Sequence, residues 1–494
     1  MNAASVSQPR LPVAVIGAGP VGLAAAAHLH ERGLPFVVLE AGAEAGAAMR
    51  EWGHVRVFSP WRFNIDKAAR RLLEGAGWKA PAADDLPTGD DIVDRYLAPL
   101  AAHAAIRPHL RLGARVVAIG RKDMDKVRSE GRESRPFEIH LADGTAIQAS
   151  AVIDASGTWT APNPMGAGGL PVPGEAEYAD RIAYGIPDVL GRARADYAGK
   201  RILVVGSGHS AFNILLDLLE LKKAAPKTEI FWAVRRDTGN KLFGGGAADA
   251  LPARGDLGTR TRAAVDGGRL TLPRPFSVRA VARGKGGRTV DGVLNGAGHR
   301  IEVDRIAVAT GFRPRLDMLR EVRLGLDPWL EAVNDLAPLI DPNLHSCGTV
   351  RPHGVRELSH PEPDFFIAGM KSYGRAPTFL MTTGYEQVRS IAAWLAGDKD
   401  AALRVELDLP ETGVCSLPGA AEETSCCAPA PEAKAASCGK PAASKPAAVK
   451  SGCCGGPAPV EVPVEVDACC ADDASAKAAG KTGCGCGPEA AVRD

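Results

Sequence analysis

Across its first 414 positions the chain carries a single cysteine, Cys347, although the sequence of 494 residues has 11 in all. A cysteine-poor body fits a reducing compartment, where disulfides rarely persist. It also excludes a redox-active Cys-x-x-Cys in that body, because no second cysteine stands there. An excess of charge is missing too: 59 basic residues face 58 acidic ones, a formal net charge of +1. That balance leaves no basic footprint for nucleic acid and no polybasic membrane patch. No apolar run approaches the roughly 20 residues that a membrane span needs. Residues 1–10 are polar and too short for a secretory signal. The expectation is a cytoplasmic protein that engages neither nucleic acid nor membrane.

What the chain does have is two glycine loops, each in the setting of a dinucleotide site. The apolar run at 11–16 suits a buried parallel strand. It runs into Gly17, Gly19, Pro20 and Gly22. Gly17 supplies the tight turn, Gly19 lets backbone approach a pyrophosphate, and Gly22 lets the next helix pack on the strand. The helix N-terminus offers free N–H groups and partial positive charge to the phosphates. A second strand at 36–39 ends at Glu40, whose carboxylate can accept from a ribose 2′-hydroxyl. The second loop reads Gly206, Ser207, Gly208, His209, Ser210, with Ala211 in the third glycine's place, after the strand RILVV at 201–205. Here the following strand, placed at 230–234, ends in Arg235 and Arg236. A carboxylate would repel a 2′-phosphate, whereas arginine grips it with a planar fork. The second site is therefore expected to take NADPH over NADH. The segments AVIDASG at 151–157 and IAVATG at 306–311 are apolar strands ending on small residues, with Thr310 and Gly311 close to a cofactor path. Both are followed by proline, at Pro162 and Pro314, and they read as the points where the chain leaves the first nucleotide domain and re-enters it.

With GAGPVG at 17–22, GSGHSA at 206–211 and ATGF at 309–312, the chain resembles the two-dinucleotide-binding-domain flavoproteins, nearest the flavin-containing, class B-like monooxygenases, over roughly residues 11–400. The resemblance implies FAD at the first loop and NADPH at the second. It implies an α/β fold of two Rossmann-like domains, with an FAD domain at 1–165 and 316–400 and an NADPH domain inserted at 166–315. The segment at 51–66 would line the reactive face of the flavin, with Trp52, Asn64 and Asp66 as candidates and Trp61 read as core. The segment at 367–391 resembles the last flavin-contacting element, in which a strand ends at Gly369 and a helix dipole stabilises the reduced flavin. Lys371 and Arg375 could act in the same sense. One departure stands out. These monooxygenases carry Phe-x-Gly-x-x-x-His before the second loop, whereas this chain has Gly174 with Val172 and Tyr178 in the flanking places. Oxygenase, oxidase and direct reductase all remain open. A homodimer is a further expectation.

Beyond position 409 the composition turns to Ala, Pro, Lys, Gly and Cys, too poor in apolar surface to offset ordering entropy, so residues 411–494 read as a flexible appendage. Its cysteines come in pairs: Cys426 with Cys427, Cys453 with Cys454, Cys469 with Cys470, and Cys484 with Cys486. Adjacent thiolates are soft donors that favour Cu(I), Zn and, on the same grounds, trivalent arsenic. Histidine is absent there and no Cys-x-x-Cys occurs, which excludes a Cys/His finger or a zinc ribbon. With SGCCGGPAP and the closing GCGCG, the tail resembles those on proteins of bacterial arsenic and heavy-metal resistance operons. The whole chain is similar to the flavin monooxygenase-like proteins of such operons. The leading expectation is an FAD- and NADPH-dependent monooxygenase acting with molecular oxygen on a thiophilic metalloid or organoarsenical. A flavin reductase of disulfides or metal ions is a second, and a metal-sequestering redox sensor a third. Cys347, between two histidines at 345 and 353, is a lone thiol read first as a small buried hydrophobe.

Overall fold

A computed structural model of the chain describes residues 10–236, 242–249, 251–270, 275–285, 287–345, 350–376 and 379–407. The run VAVI has no polar face, and it forms β1 (Val13–Ile16), buried along its length. Such strands belong inside parallel sheets with both faces covered. β2 (Phe36–Leu39) and the short β3 (Leu110–Arg111) lie to one side of it. An antiparallel meander follows: β4 (Val116–Arg121), β5 (Phe137–Leu141) and β6 (Ala146–Ala149). β7 (Ala151–Asp154) then returns to pair with β1 on its other side.

The chain now builds a second sheet on the same plan. β8 (Ile182–Tyr184), β9 (Arg201–Val205) and β10 (Glu229–Ala233) are parallel strands. A second meander, β11 (Phe276–Arg283), β12 (Arg288–Leu294) and β13 (Ala297–Val303), precedes β14 (Arg305–Val308). The second parallel sheet has the order β10-β9-β14-β8. Only β15 (Phe365–Ile367) goes back to the first, which reads β15-β7-β1-β2-β3. The strand of the IAVATG segment thus closes the second sheet, and the return to the first comes after it. Leu319, Val322, Val333 and Leu336 already belong to the first core.

Helices cover both sheets. α1 (Pro20–Glu31) follows β1, and its Ala24, Ala25, Ala26 and Ala27 are fully buried, so the helix lies close to the sheet. α2 (Lys67–Gly75) packs on α1. α3 (His209–Ala224) follows β9 and packs on α4 (Pro252–Asp266). α5 (Met381–Leu395) lies against α1. No helix among the described residues is long and apolar enough to cross a membrane.

One buried ion cluster ties the first meander to its sheet. Glu362, three residues before β15, accepts from Arg121 Nε at 2.8 Å and Arg132 Nη2 at 2.7 Å. All three side chains are at most 3% exposed. Burial alone would raise the carboxyl pKa, but hydrogen bonds from Arg132 and Arg121 outweigh it and hold the group below its usual range. A carboxyl depressed in the folded state stabilises the fold fully above its unfolded pKa of about 4.3, and that stability is lost as pH falls through the folded value. Glu362→Ala, which strands two buried guanidinium groups, should lower the unfolding free energy at neutral pH by about 3–5 kcal/mol. Urea titrations of both proteins at neutral and acid pH would read this loss and its shrinkage as the wild-type carboxyl protonates.

Candidate functional site

At the first loop the backbone comes nearer than any side chain would permit. A Cβ on Gly22 would stand 1.9 Å from the carbonyl oxygen of Gly17. Gly17 itself has φ +100°, and its Cβ would fall 2.9 Å from Ala155 O at the end of β7. Gly19 is the opposite case, for a Cβ there would meet nothing within 4 Å. That open space lies at the start of α1, where Gly19 provides no side-chain cap and Pro20 occupies the first turn. Free N–H groups beside that space fit a pyrophosphate. The Glu40 carboxylate accepts from Ala18 N–H and Gly42 N–H, both at 2.7 Å. A carboxylate has about four acceptor sites, so half-buried Glu40 keeps capacity for ribose hydroxyls.

The second loop repeats the arrangement. Gly206 has φ +137°, and its Cβ would stand 2.3 Å from Ala309 O at the end of β14. A Cβ on Gly208 would meet nothing within 4 Å, and both Ser207 and Gly208 are exposed. α3 begins here with no side-chain cap. His209 opens the helix, with Ser210 next. Burial first, and then the charge of Arg254, push the His209 pKa down to about 4, so the imidazole is neutral at neutral pH. Its ring lies 5.4 Å from that of Phe58, a residue of the first domain. Arg235 and Arg236 follow β10, both exposed, and Arg235 Nη1 donates to Ala167 O at 2.8 Å.

The two crossovers between the sheets run side by side. Asn163 N–H donates to Gly311 O at 2.9 Å, and Arg313 N–H donates to Ala161 O at 3.0 Å. The Asn163 amide donates to Thr310 O at 3.2 Å, and Arg313 Nε donates to Asn163 Oδ1 at 3.0 Å. A row of aromatic rings accompanies this pair. Phe312 lies 4.7 Å from Trp159, and Trp159 lies 6.5 Å from Trp52. Trp159 Nε1 donates to Glu51 at 2.7 Å. Half-buried Trp52 packs on the edge of the first core and faces Trp159.

Several residues singled out from the sequence have other duties. Asp66 is 3% exposed, caps α2 by accepting from Ala69 N–H at 2.9 Å, and lies 3.0 Å from His28 Nε2. Asn64 is fully buried; its amide donates to Ser59 O at 2.7 Å and to Pro60 O at 3.1 Å. Lys371 is 1% exposed, with Nζ held by Asp154 at 2.7 Å and Ser156 at 3.0 Å. A side chain that lines an open cofactor groove would show surface, and these three show almost none. The Thr310 hydroxyl donates to Asn163 O at 2.7 Å and so serves the crossover. Arg375 is exposed and reaches the turn at 166–169, its Nη2 lying 3.7 Å from where a Cβ on Gly169 would be. Gly369, at φ +72°, packs on Val21 of α1 and donates its N–H to Gln387 Oε1 at 2.7 Å. Gln387 in turn donates to His353 Nε2 at 2.8 Å, whose ring burial keeps neutral. Sequence reasoning missed Gln387, His353, Asp154 and Trp159, because only their distant partners mark them. Tyr178 stacks under the Arg288 guanidinium at 4.5 Å, on the second meander. Trp61 is 1% exposed and is core. Among the described residues no cluster of His, Cys, Asp or Glu could hold a metal. Cys347 and Cys426, Cys427, Cys453, Cys454, Cys469, Cys470, Cys484 and Cys486 lie outside the described residues.

Residues 14–228 match the family described as pyridine nucleotide-disulphide oxidoreductase. The ferredoxin–NADP reductase of Salinispora arenicola is 31% identical over 324 residues, spanning 64% of this chain and 79% of that protein. Among solved structures, a bacillithiol disulfide reductase from Bacillus cereus aligns with a TM-score of 0.56 at 18% identity, over 78% of this chain and 99% of that one. A flavin monooxygenase from Stenotrophomonas maltophilia aligns with a TM-score of 0.51 at 20% identity, over 79% and 99%. The two structural likenesses concern the fold.

Asp66→Asn should weaken the cap and the pairing with His28, lowering stability by about 1–3 kcal/mol. NADPH oxidation per bound flavin should stay within about twofold of wild type, since the carboxylate is buried on His28 and the α2 cap. Denaturant midpoints and steady-state rates normalised to flavin content check the two halves of this expectation.

Proposed function

The chain belongs to the pyridine nucleotide-disulphide oxidoreductase family, and within it we propose an NADPH-consuming FAD enzyme, a monooxygenase whose substrate is a thiophilic metalloid or organoarsenical. That the protein is a flavin- and NADP(H)-dependent oxidoreductase follows from the family; the substrate and the use of oxygen are our reading. The observation that carries it is the contrast between two like cradles: Glu40 ends the strand after the first, and Arg235 with Arg236 ends the strand after the second. A carboxylate suits the free ribose of FAD, and guanidinium groups suit the 2′-phosphate of NADPH. When bound, NADPH supplies a hydride and FAD relays its electrons to the acceptor. The chain's own residues hold and orient. Gly19 and Gly208 leave room for the pyrophosphates, and uncapped N–H groups of α1 and α3 bind them. Neutral His209 adds no charge of its own to the second cradle. Trp52, Trp159 and Phe312 set a row of rings between the domains. The overall balance is NADPH, a proton, oxygen and substrate giving NADP⁺, water and oxygenated substrate.

The metalloid reading rests on the cysteines. Positions 1–346 have none, and ten of the 11 lie at 415 or beyond, mostly in pairs. A tethered set of soft thiolates raises the local concentration of a thiophile beside the flavin. A second reading deserves equal test: NADPH, a proton and a tail disulfide giving NADP⁺ and two thiols. The replaced Phe and His of the monooxygenase fingerprint, at Val172 and Tyr178, favour it, as do the relatives named ferredoxin–NADP reductase.

Oxygen uptake by FAD-loaded protein with NADPH, with and without arsenite or a trivalent organoarsenical and with catalase present, separates the two. Arsenical-dependent uptake that catalase barely changes is the expected outcome. NADPH oxidation that proceeds without oxygen and creates tail thiols would replace the monooxygenase by the reductase. Deletion of residues 411–494 should raise KM for the metalloid about tenfold while kcat stays within about twofold. Unchanged steady-state constants would refute delivery by the tail.

A further inference from the structure

Arg375 stands far from β10 in sequence, yet it shares a turn with the arginines that follow that strand. The turn at 166–169 is closed by Gly169 N–H donating to Gly166 O at 2.9 Å. On one side of it Arg235 Nη1 donates to Ala167 O at 2.8 Å. On the other, Arg375 Nη2 lies 3.7 Å from the place a Cβ on Gly169 would take. Arg375 is held rather than loose: its N–H donates to Leu330 O at 2.7 Å, and Gly374 before it adopts φ +60° with its Cβ position 2.1 Å from that same oxygen. Arg235, Arg236 and Arg375 are all exposed, and among the described residues no carboxylate pairs with any of them. Burial, then Arg236, then Arg375 depress the Arg235 pKa. Like charges gathered without a counter-ion repel, and an anion relieves that repulsion. Guanidinium forks match the oxygens of a phosphate monoester. The place is the end of the strand that follows the second glycine loop, where the adenosine ribose lies in this fold.

We infer that Arg375, from the returning segment of the first domain, joins Arg235 and Arg236 in one anion site that grips the 2′-phosphate of NADPH from both domains. The inference rests on the second loop being an NADPH cradle. It makes Arg375 a specificity residue for the nicotinamide cofactor, and it makes the 2′-phosphate a bridge between the two sheets. NADH has no group to place there.

Isothermal titration of the full-length, FAD-loaded protein with 2′,5′-ADP and with 5′-ADP tests it without turnover. Wild type should bind 2′,5′-ADP the more tightly. Arg375→Ala should weaken 2′,5′-ADP by about tenfold, the loss of one charge-assisted contact, and leave 5′-ADP unchanged. Arg375→Lys should recover part of the loss. If Arg235→Ala weakens 2′,5′-ADP and Arg375→Ala does not, the bridge is overturned while the NADPH cradle stands. Equal weakening of both nucleotides by Arg375→Ala would mark general damage to the second domain and also overturn the bridge. A wild type that does not distinguish the two nucleotides would overturn the NADPH reading itself.

Discussion

The two connections between the halves of this protein are tied to each other by Asn163. Its backbone and side chain together hold Gly311, Thr310 and Arg313, so that the outgoing and returning strands of chain form a single antiparallel ribbon between the sheets. Two separate connections would let the cradles drift independently. One ribbon, in which each strand satisfies the polar groups of the other, gives them a common axis. The row Trp52, Trp159 and Phe312 lies along that axis and adds ring contacts to it.

Electrostatics divide the labour along the same line. Among the described residues, buried charges of the first half are matched: Arg121 and Arg132 with Glu362, Lys371 with Asp154, Arg389 with Glu386. Removing one partner of such a pair strands a buried charge and costs more than the pair contributes. Among the described residues, Arg235, Arg236 and Arg375 are exposed cations with no carboxylate partner, at the surface of the second half and its border. Positive groups kept without acidic partners are the ones free to meet a ligand.

The glycine loops, the strands around them and the acid-versus-arginine contrast were legible because each is a local pattern, complete within about 30 residues. RILVV became β9 residue for residue, and FVVL became β2. The two meanders were not legible as such, for alternating strands such as β13 pair only through partners that hairpin turns bring up. Asp66, Asn64 and Lys371 looked chemical because polar groups near a cofactor motif usually are. Their burial is decided by partners far along the chain, Asp154 for Lys371 and His28 for Asp66, which no local pattern reveals. Arg375 was noticed for its charge, and only the fold shows that it faces Gly169.

The two sheets also repeat one contact with near identity. Gly17 is pressed onto the carbonyl of Ala155 at the end of β7, and Gly206 onto that of Ala309 at the end of β14, each after a strand, before a helix and with a meander between. Two loops built to the same backbone demands can differ only at positions those demands do not reach. The ends of the second strands are such positions, and there the chain carries an acid after one loop and two arginines after the other.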